Sequence, residues 1–485
     1  MADQAEIGEN TSRKKLAQLV VGMLVGLGFG LVMSLVSNGF VSGVIWLTAL
    51  REAQLVAWLG LDPGFKSIMP LICLLVAAFL ILQVRRLFGI TRWHGPADSI
   101  FAAHRTDNEL DIRSGFGSTV AALISAGGGA SVGQYGPLVH FGATMGSALR
   151  RLTGGMLTTD VFIGCGVAGA IAAGFNAPIA GVVFAHEAIL RHFSMRAIAP
   201  IAVASVSSSW FSQQIFGSSP LLDFAAMALD LGVVLPAALV LGPAFGLVAV
   251  MFMICVRSSL RFAATSGWSP ARLVFLAAGI TGIVGIFVPE ILGLGSGPLR
   301  IILEGGYADG YLLVLLVGKI LLTALCIGFG LFGGVFSPAL FVGAAAGAIG
   351  GRIAAGIVGV SAVPALAICG MAAVASAVIG APVAGVMIIL EMTMNYELAL
   401  AAMLSVVTCS MISHLLFGHS FFDRQLLDRG IDVAQGRGHI EMMETPVLGI
   451  VSDDFARIDS AQSPKAAIKK LVAANQSEGY LVGEG

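Results

Sequence analysis

Gly133-Gln134-Tyr135-Gly136-Pro137 and Gly334-Val335-Phe336-Ser337-Pro338 are the stretches whose residue types and spacing can do chemistry. Each is a glycine-rich run that ends in proline and opens into a helix of small apolar residues, Leu138 to Leu149 and Ala339 to Ile353. Proline fits the first helical turn, where its missing N–H has no helical partner to lose. The amides just before it, at Gln134 to Gly136 and Val335 to Ser337, are then free donors at a helix start. Free donors and roughly half a positive charge from the helix dipole make an anion site. The chemistry is recognition of an anion by main-chain N–H groups.

The elements that must position these donors lie in a bilayer. The chain has 485 residues, 57% hydrophobic and only 11% charged, with a mean hydropathy of +0.91; soluble domains carry about 25% charged residues. Runs near the length of about 20 residues that crosses a bilayer include Leu16 to Val36, Ser67 to Leu82, Leu231 to Cys255, Leu273 to Val288, Leu312 to Phe329 and Leu398 to Phe417. Other apolar runs are shorter, and 63 glycines interrupt them. Short, Gly/Pro-broken segments at matching places in two halves mark the midplane site of a transporter-like protein. No cleavable signal is evident at the polar start. Arg13, Lys14 and Lys15 before the first span, and Arg85 and Arg86 after the next, favour a cytoplasmic N-terminus. The net charge of −1 points to no partner. The six cysteines, in apolar runs without CxxC spacing, read as small buried hydrophobes.

The halves are visible as a repeat. Cys165 to Glu187 superimposes without gaps on Cys369 to Glu391, pairing Cys165 with Cys369, Gly166 with Gly370, Pro178 with Pro382, Gly181 with Gly385 and Glu187 with Glu391. The two anion motifs pair likewise, Gly133 with Gly334 and Pro137 with Pro338. Duplication predicts two similar halves about a pseudo-two-fold axis, inverted in the membrane, with both broken-helix starts at one central place. Glu187 and Glu391 are repeat-related membrane acids, open to a functional role or to a structural one in capping and packing. His140 and His186 read as bonded core histidines.

These residues resemble the CLC family of chloride channels and proton-coupled chloride exchangers. Gly334 to Pro338 matches that family's GxFxP, and Gly133 to Pro137 matches its GxEGP except at the acid. Phe175-Asn176-Ala177-Pro178 through Glu187, Gly380-Ala381-Pro382-Val383-Ala384-Gly385, and Ser420-Phe421-Phe422-Asp423 through Arg429-Gly430 extend the likeness over about Leu16 to Gly430. The resemblance implies an all-α polytopic membrane protein of CLC architecture, with inverted repeats of broken, tilted helices, and a homodimer with one pathway per subunit. It implies main-chain amides of Val335 and Phe336 around a central anion, and those of Gln134, Tyr135 and Gly136 around an outer one. His94 and Gly95 fall at the family's GSGIP-like position, facing the inner part of the pathway, where the His94 ring would contact the anion or else face water or cap the helix at Pro96.

Departures bear on mechanism. The family's gating glutamate is Tyr135 here, the inner proton-relay glutamate of its exchangers is Ala188, and the tyrosine that donates to the central anion is Phe422. Tyrosine has a reference pKa of about 10, so it does not shuttle protons near neutrality, although it can block by bulk or donate its O–H. The expected function is passive, uncoupled chloride permeation, with Tyr135 as gate; nitrate, bromide and fluoride remain open. The rival is a proton/chloride exchanger using His140, His186 or water. A remote alternative, an intramembrane hydrolase, finds no GxSxG turn with a partnered histidine beside it.

The expected organisation is 1–15 as a cytoplasmic segment, 16–226 and 227–430 as the two membrane repeats, and 431–485 as a cytoplasmic tail. In the tail, Thr445 to Val451, Ser463 to Ala473 and Gly479 to Val482 read as strand, helix, strand, and look like part of a CBS domain. No enzyme activity, cofactor, metal, nucleotide or nucleic acid is expected; the partners are chloride or other small anions, lipid and a second copy. The location is a bacterial-type inner (plasma) membrane, with both termini cytoplasmic.

Overall fold

A backbone surrounded by hydrocarbon must satisfy its N–H and C=O groups within its own segment, which favours helices, and the chain folds accordingly. The structure is a computed structural model; it describes residues 2–51, 68–105, 108–150, 157–193, 195–217, 230–359, 362–435, 440, 442, 455–476 and 478–482. The expected strand Thr445 to Val451 and the boundary at 226/227 lie outside the described residues, as do the side chains of Arg13, Lys14 and Lys15.

The first half comprises α1 (Ala2–Ala49), α2 (Met69–Phe88), α3 (Pro96–His104), α4 (Ile112–Gly128), α5 (Tyr135–Leu149), α6 (Thr159–Phe175), α7 (Pro178–Phe184) and α8 (Met195–Phe216). The second comprises α9 (Leu231–Thr265), α10 (Pro270–Phe287), α11 (Ser296–Leu303), α12 (Asp309–Phe329), α13 (Phe336–Val358), α14 (Val363–Ile379), α15 (Pro382–Thr393), α16 (Tyr396–Phe417) and α17 (Phe421–Leu427). Seven helices among the described residues are long and apolar enough to cross a membrane. Six overlap the spans read from sequence; the seventh, Phe336–Ile357, begins inside the anion motif. By contrast Thr159–Phe175, Pro178–Leu190, Val363–Ile379 and Pro382–Thr393 are shorter.

Glycine decides how the short helices pack. In α5 and α6, Gly142 and Gly166 meet backbone to backbone, leaving no room for a Cβ on either. Gly343 and Gly370 make the same crossing between α13 and α14. Small residues at a crossing let helices approach closely where lipid offers no hydrophobic drive. The repeat breaks match too: Asn176 (φ 52°) ends α6 and Gly380 (φ 79°) ends α14, both left-handed. Beyond them the halves differ by one residue. The chain from Pro178 to Leu190 passes through a π-helical turn at Ala185–Leu190 before Arg191, whereas α15 runs regularly to Met394. A π turn absorbs one inserted residue without breaking the helix.

Met1–Val433 and Ala434–Gly485 form separate compact units. In the second, α18 (Pro464–Ala473) accompanies parallel strands β1 (Ala456–Asp459) and β2 (Gly479–Val482); β1 was not read from sequence. All six cysteines are free; Cys165, Cys326, Cys369 and Cys409 are buried, while Cys73 and Cys255 are half-buried rather than enclosed.

Candidate anion pathway

The two anion motifs touch. Gly133 N donates to Gly334 O at 2.7 Å and Gly334 N returns the bond to Gly133 O at 2.6 Å, an isolated antiparallel bridge. Equivalent segments of the two halves therefore run in opposite directions where they meet. A Cβ on Gly133 would lie 2.9 Å from Gly334 O, and one on Gly334 would lie 2.9 Å from Gly136 N. Glycine is required here for backbones to approach this closely.

Helices α5 and α13 begin at Tyr135 and Phe336, earlier than the sequence reading of Leu138 and Ala339. Pro137 and Pro338 occupy the third helical position, still within the turn whose N–H groups have no helical acceptor. The amides of Tyr135, Gly136, Phe336 and Ser337 are thus first-turn donors of two adjacent helices. Neither N-cap residue, Gln134 or Val335, places a side chain on them. Gln134 Oε1 and Ser337 Oγ are buried without a hydrogen-bond partner, so the joint between the motifs holds unspent donor and acceptor capacity. Val335 and Phe336 are themselves buried.

Tyr135 lies over this joint. Its ring stacks on Phe175 with centroids 3.8 Å apart and meets Phe336 edge-on at 5.7 Å, while Phe175 and Phe336 meet edge-on at 5.3 Å. The phenol O–H donates to Gly174 O at 3.2 Å. Gly174 makes room for the ring, since a Cβ there would lie 2.6 Å from Tyr135 Cε1. Tyr135, Gln134, Asn176, Gln213, Arg300 and Ser337 line a cavity of about 510 Å³. At the wall of this cavity the tyrosine is held by aromatic packing, with the hydroxyl already used. Phe175 and Gly174 escaped sequence reasoning, because nothing in Gly174-Phe175 announces a stacking partner for Tyr135.

Helix α3 brings a third start to the same place. A Cβ on Gly136 would lie 3.6 Å from Pro96 Cγ. His94 N donates to Ser118 Oγ at 3.0 Å and Gly95 N to Asp98 Oδ2 at 2.9 Å, so both amides are committed and the His94 ring is left as the polar group on offer. His94 does not cap α3; Gly95 is the N-cap and Asp98 closes it. Asp98 Oδ1 also accepts from Arg92 at 2.7 Å and Arg429 at 2.9 Å. Burial works against its charge, but Arg92 and Arg429 hold its carboxyl well below the usual range. Glycine before Pro-x-Asp is a legible capping signal; the arginine 331 residues away is not.

Buried His140, on α5, bonds Ser99 Oγ through Nδ1 at 2.8 Å, and its ring centroid is 6.0 Å from that of His94. His140 Nε2 and His94 Nδ1 are buried and unpartnered. Burial lowers the His94 pKa from its ordinary value, with Asp98 opposing. His186 Nδ1 donates to His192 O at 2.8 Å, while its Nε2 is buried without a partner. Ala188 is buried within the π turn, and Phe422 is buried in the first turn of α17.

The repeat-related acids are caps. Glu187 accepts from Val383 N at 3.0 Å and Ala384 N at 2.7 Å, while Glu391 accepts from Ile179 N at 2.9 Å and Ala180 N at 2.7 Å. Lys319, fully buried in α12, donates to Ile291 O at 2.9 Å and Gly293 O at 3.0 Å and lies over the Phe341 ring. One overlooked run, Gly129-Ala130-Ser131-Val132-Gly133, does fit GxSxG. Its serine is fully buried and shares a hydrogen bond with Thr323 Oγ1 at 3.2 Å, so Ser131 is not an exposed nucleophile.

Comparison with known proteins agrees with this geometry. A putative chloride channel protein, ClcB-like, of Ralstonia nicotianae is 31% identical over 410 residues, 79% of this chain and 94% of that protein. An H(+)/Cl(−) exchange transporter, ClcA, of Vibrio cholerae is 30% identical over 313 residues, 62% of this chain and 67% of that protein. Among solved structures, a slow cyanobacterial Cl−/H+ antiporter superimposes with a TM-score of 0.76 at 21% identity, covering 84% of this chain and 97% of that one. A eukaryotic CLC transporter does so at 0.71 and 18%, covering 97% of this chain and 85% of that one. The family model described as voltage gated chloride channel matches residues 76–414, and the chain belongs to that family.

Proposed function

We propose that the chain carries chloride through this pathway passively, without obligatory proton coupling. The observation that carries this reading is Tyr135 at the joint of the two motifs, where an acid would be needed to exchange a proton for an anion. Its hydroxyl is held by Gly174 and its ring by Phe175 and Phe336. The first-turn amides around Val335 and Phe336 would hold a central anion, and those of Gln134, Tyr135 and Gly136 an outer one. Ala188, an alkyl group, offers no inner relay. We further place both termini in the cytoplasm of a bacterial cell and expect a homodimer with one pathway per subunit.

Liposomes loaded with chloride, with external chloride and pH followed together, test the reading. Chloride efflux that runs down its gradient when the potential is clamped, and that moves no protons, supports it; proton uptake in fixed ratio to chloride overturns it. In that event the second reading applies, a proton/chloride exchanger. Its support is the His94–His140–Ser99 cluster beside the α5 start and the exchange transporters among the relatives.

A further inference from the structure

Helices α9 and α17 border a second cavity, of about 330 Å³. Arg257, Leu260, Arg261 and Ala264 line it from α9 at the i, i+3, i+4, i+7 spacing of one helix face. Arg424, Gln425, Asp428 and Arg429 line it from α17 and the residues just after. Asp428 accepts from Arg257 Nε at 2.8 Å and Nη2 at 2.6 Å, and from Arg261 Nη2 at 3.3 Å. Arg429 reaches out of the cavity to Asp98. The two carboxylates leave a surplus of positive charge among four guanidinium groups, and Arg424 has no carboxylate partner among the described residues.

Basic residues at the end of a membrane span are common and often face water. Two observations separate this group from such a collar. The guanidinium groups line one shared open cleft, and Arg424, lying over the Phe417 ring, has its Nε buried without a hydrogen-bond partner. A buried N–H of a charged group left unpaired is costly and calls for an acceptor. Chloride offers a single sphere, whereas a tetrahedral oxyanion offers several oxygens to several planar forks at once. We propose that this cavity binds a phosphate group, held by Arg424, Arg261 and Arg257. Its place at the ends of membrane helices suits the phosphodiester of an anionic lipid headgroup as well as a free phosphate.

The test uses the purified full chain. Inorganic phosphate is titrated at constant chloride and ionic strength while thermal unfolding is followed, and phosphatidylglycerol and phosphatidylcholine vesicles are compared in the same assay. Phosphate or phosphatidylglycerol should raise the unfolding midpoint. Arg424→Gln should raise the half-saturating concentration about tenfold. Arg261→Gln, at an exposed position that tolerates change, should do the same in part, and retained chloride flux in liposomes shows that each variant is folded. Stabilisation by phosphatidylglycerol alone identifies a lipid headgroup, and stabilisation by both shows that phosphate suffices. No response to either, or an unchanged response in both folded variants, overturns the proposal. Chloride permeation stands or falls separately, because none of these arginines lies at the Gly133–Gly334 joint.

Discussion

Glu187 and Glu391 cap each other's half of the protein. Each carboxylate leaves its own repeat and takes the second and third amides of the helix that begins Ala-Pro in the other, with matching bonds of 2.7 Å and 2.9–3.0 Å. Both helices start at a proline, so their first amide is already absent, and the acid satisfies the next two. Two acids at equivalent positions would be costly in a membrane as unpaired charges. As reciprocal caps they tie the halves together. Glu187→Ala and Glu391→Ala should each lower stability by about 1–3 kcal/mol, and by similar amounts, because each leaves two first-turn N–H groups, one of them part-buried, without an acceptor. Thermal melts in detergent check this; a variant as stable as the parent would mean that the bonds hold nothing.

Tyr135 should behave as a plug held by stacking rather than by its hydroxyl. Tyr135→Phe keeps the contacts to Phe175 and Phe336 and loses one bond of 3.2 Å to Gly174 O, so chloride flux should change by less than about threefold. Tyr135→Ala removes the ring and should raise flux about tenfold, as expected for losing an aromatic pair worth about 1 kcal/mol or more. Equal flux in the parent and the alanine variant would show that the ring is not the barrier.

Gly174 offers the same test from the opposite wall. A methyl group there would sit 2.6 Å from Tyr135 Cε1, so the ring must move off Phe175. Gly174→Ala should raise flux as Tyr135→Ala does, and the double variant should add little, since both act on one contact. Additive effects would place Gly174 in a different step.

How much of this was legible follows from the range over which each interaction acts. The spans and the repeat could be read because hydropathy and Pro/Gly/Glu spacing are local properties of the chain, and the bilayer enforces them. The free amides of Tyr135 and Phe336 could be read because a Gly-rich run ending in proline fixes a helix start within three residues. Glu187 and Glu391 could be found as a pair but not assigned, since the partner amides lie near residues 383 and 179. Phe175 beside Tyr135, Ser99 beside His140 and Arg429 beside Asp98 depend on how helices cross, which no local pattern encodes. The π turn after Phe184 is one extra residue, invisible until the two halves are superimposed at Arg191 and Met394.

His94 should make permeation respond to acid. The groups that face it are Asp98, Arg92, Asp111 and Arg429, with the His140 ring 6.0 Å away; burial outweighs the carboxylates and keeps its pKa below the ordinary value of about 6.5, so the ring is neutral at pH 7. A folded value below the unfolded one means that the unfolded chain binds the proton first. The stability tied to a neutral His94 is therefore fully present above about pH 6.5 and is lost as pH falls through the folded value. Over the same range the ring gains a positive charge beside the α3 start, which favours an anion there. Chloride binding should tighten severalfold in the parent as pH falls through that folded value, while thermal stability falls. In His94→Asn both slopes should flatten, with flux at pH 7 little changed. A variant that keeps the parent's acid response in chloride binding would move the sensor to His140, whose Nε2 is the other unpartnered imidazole nitrogen of the pair.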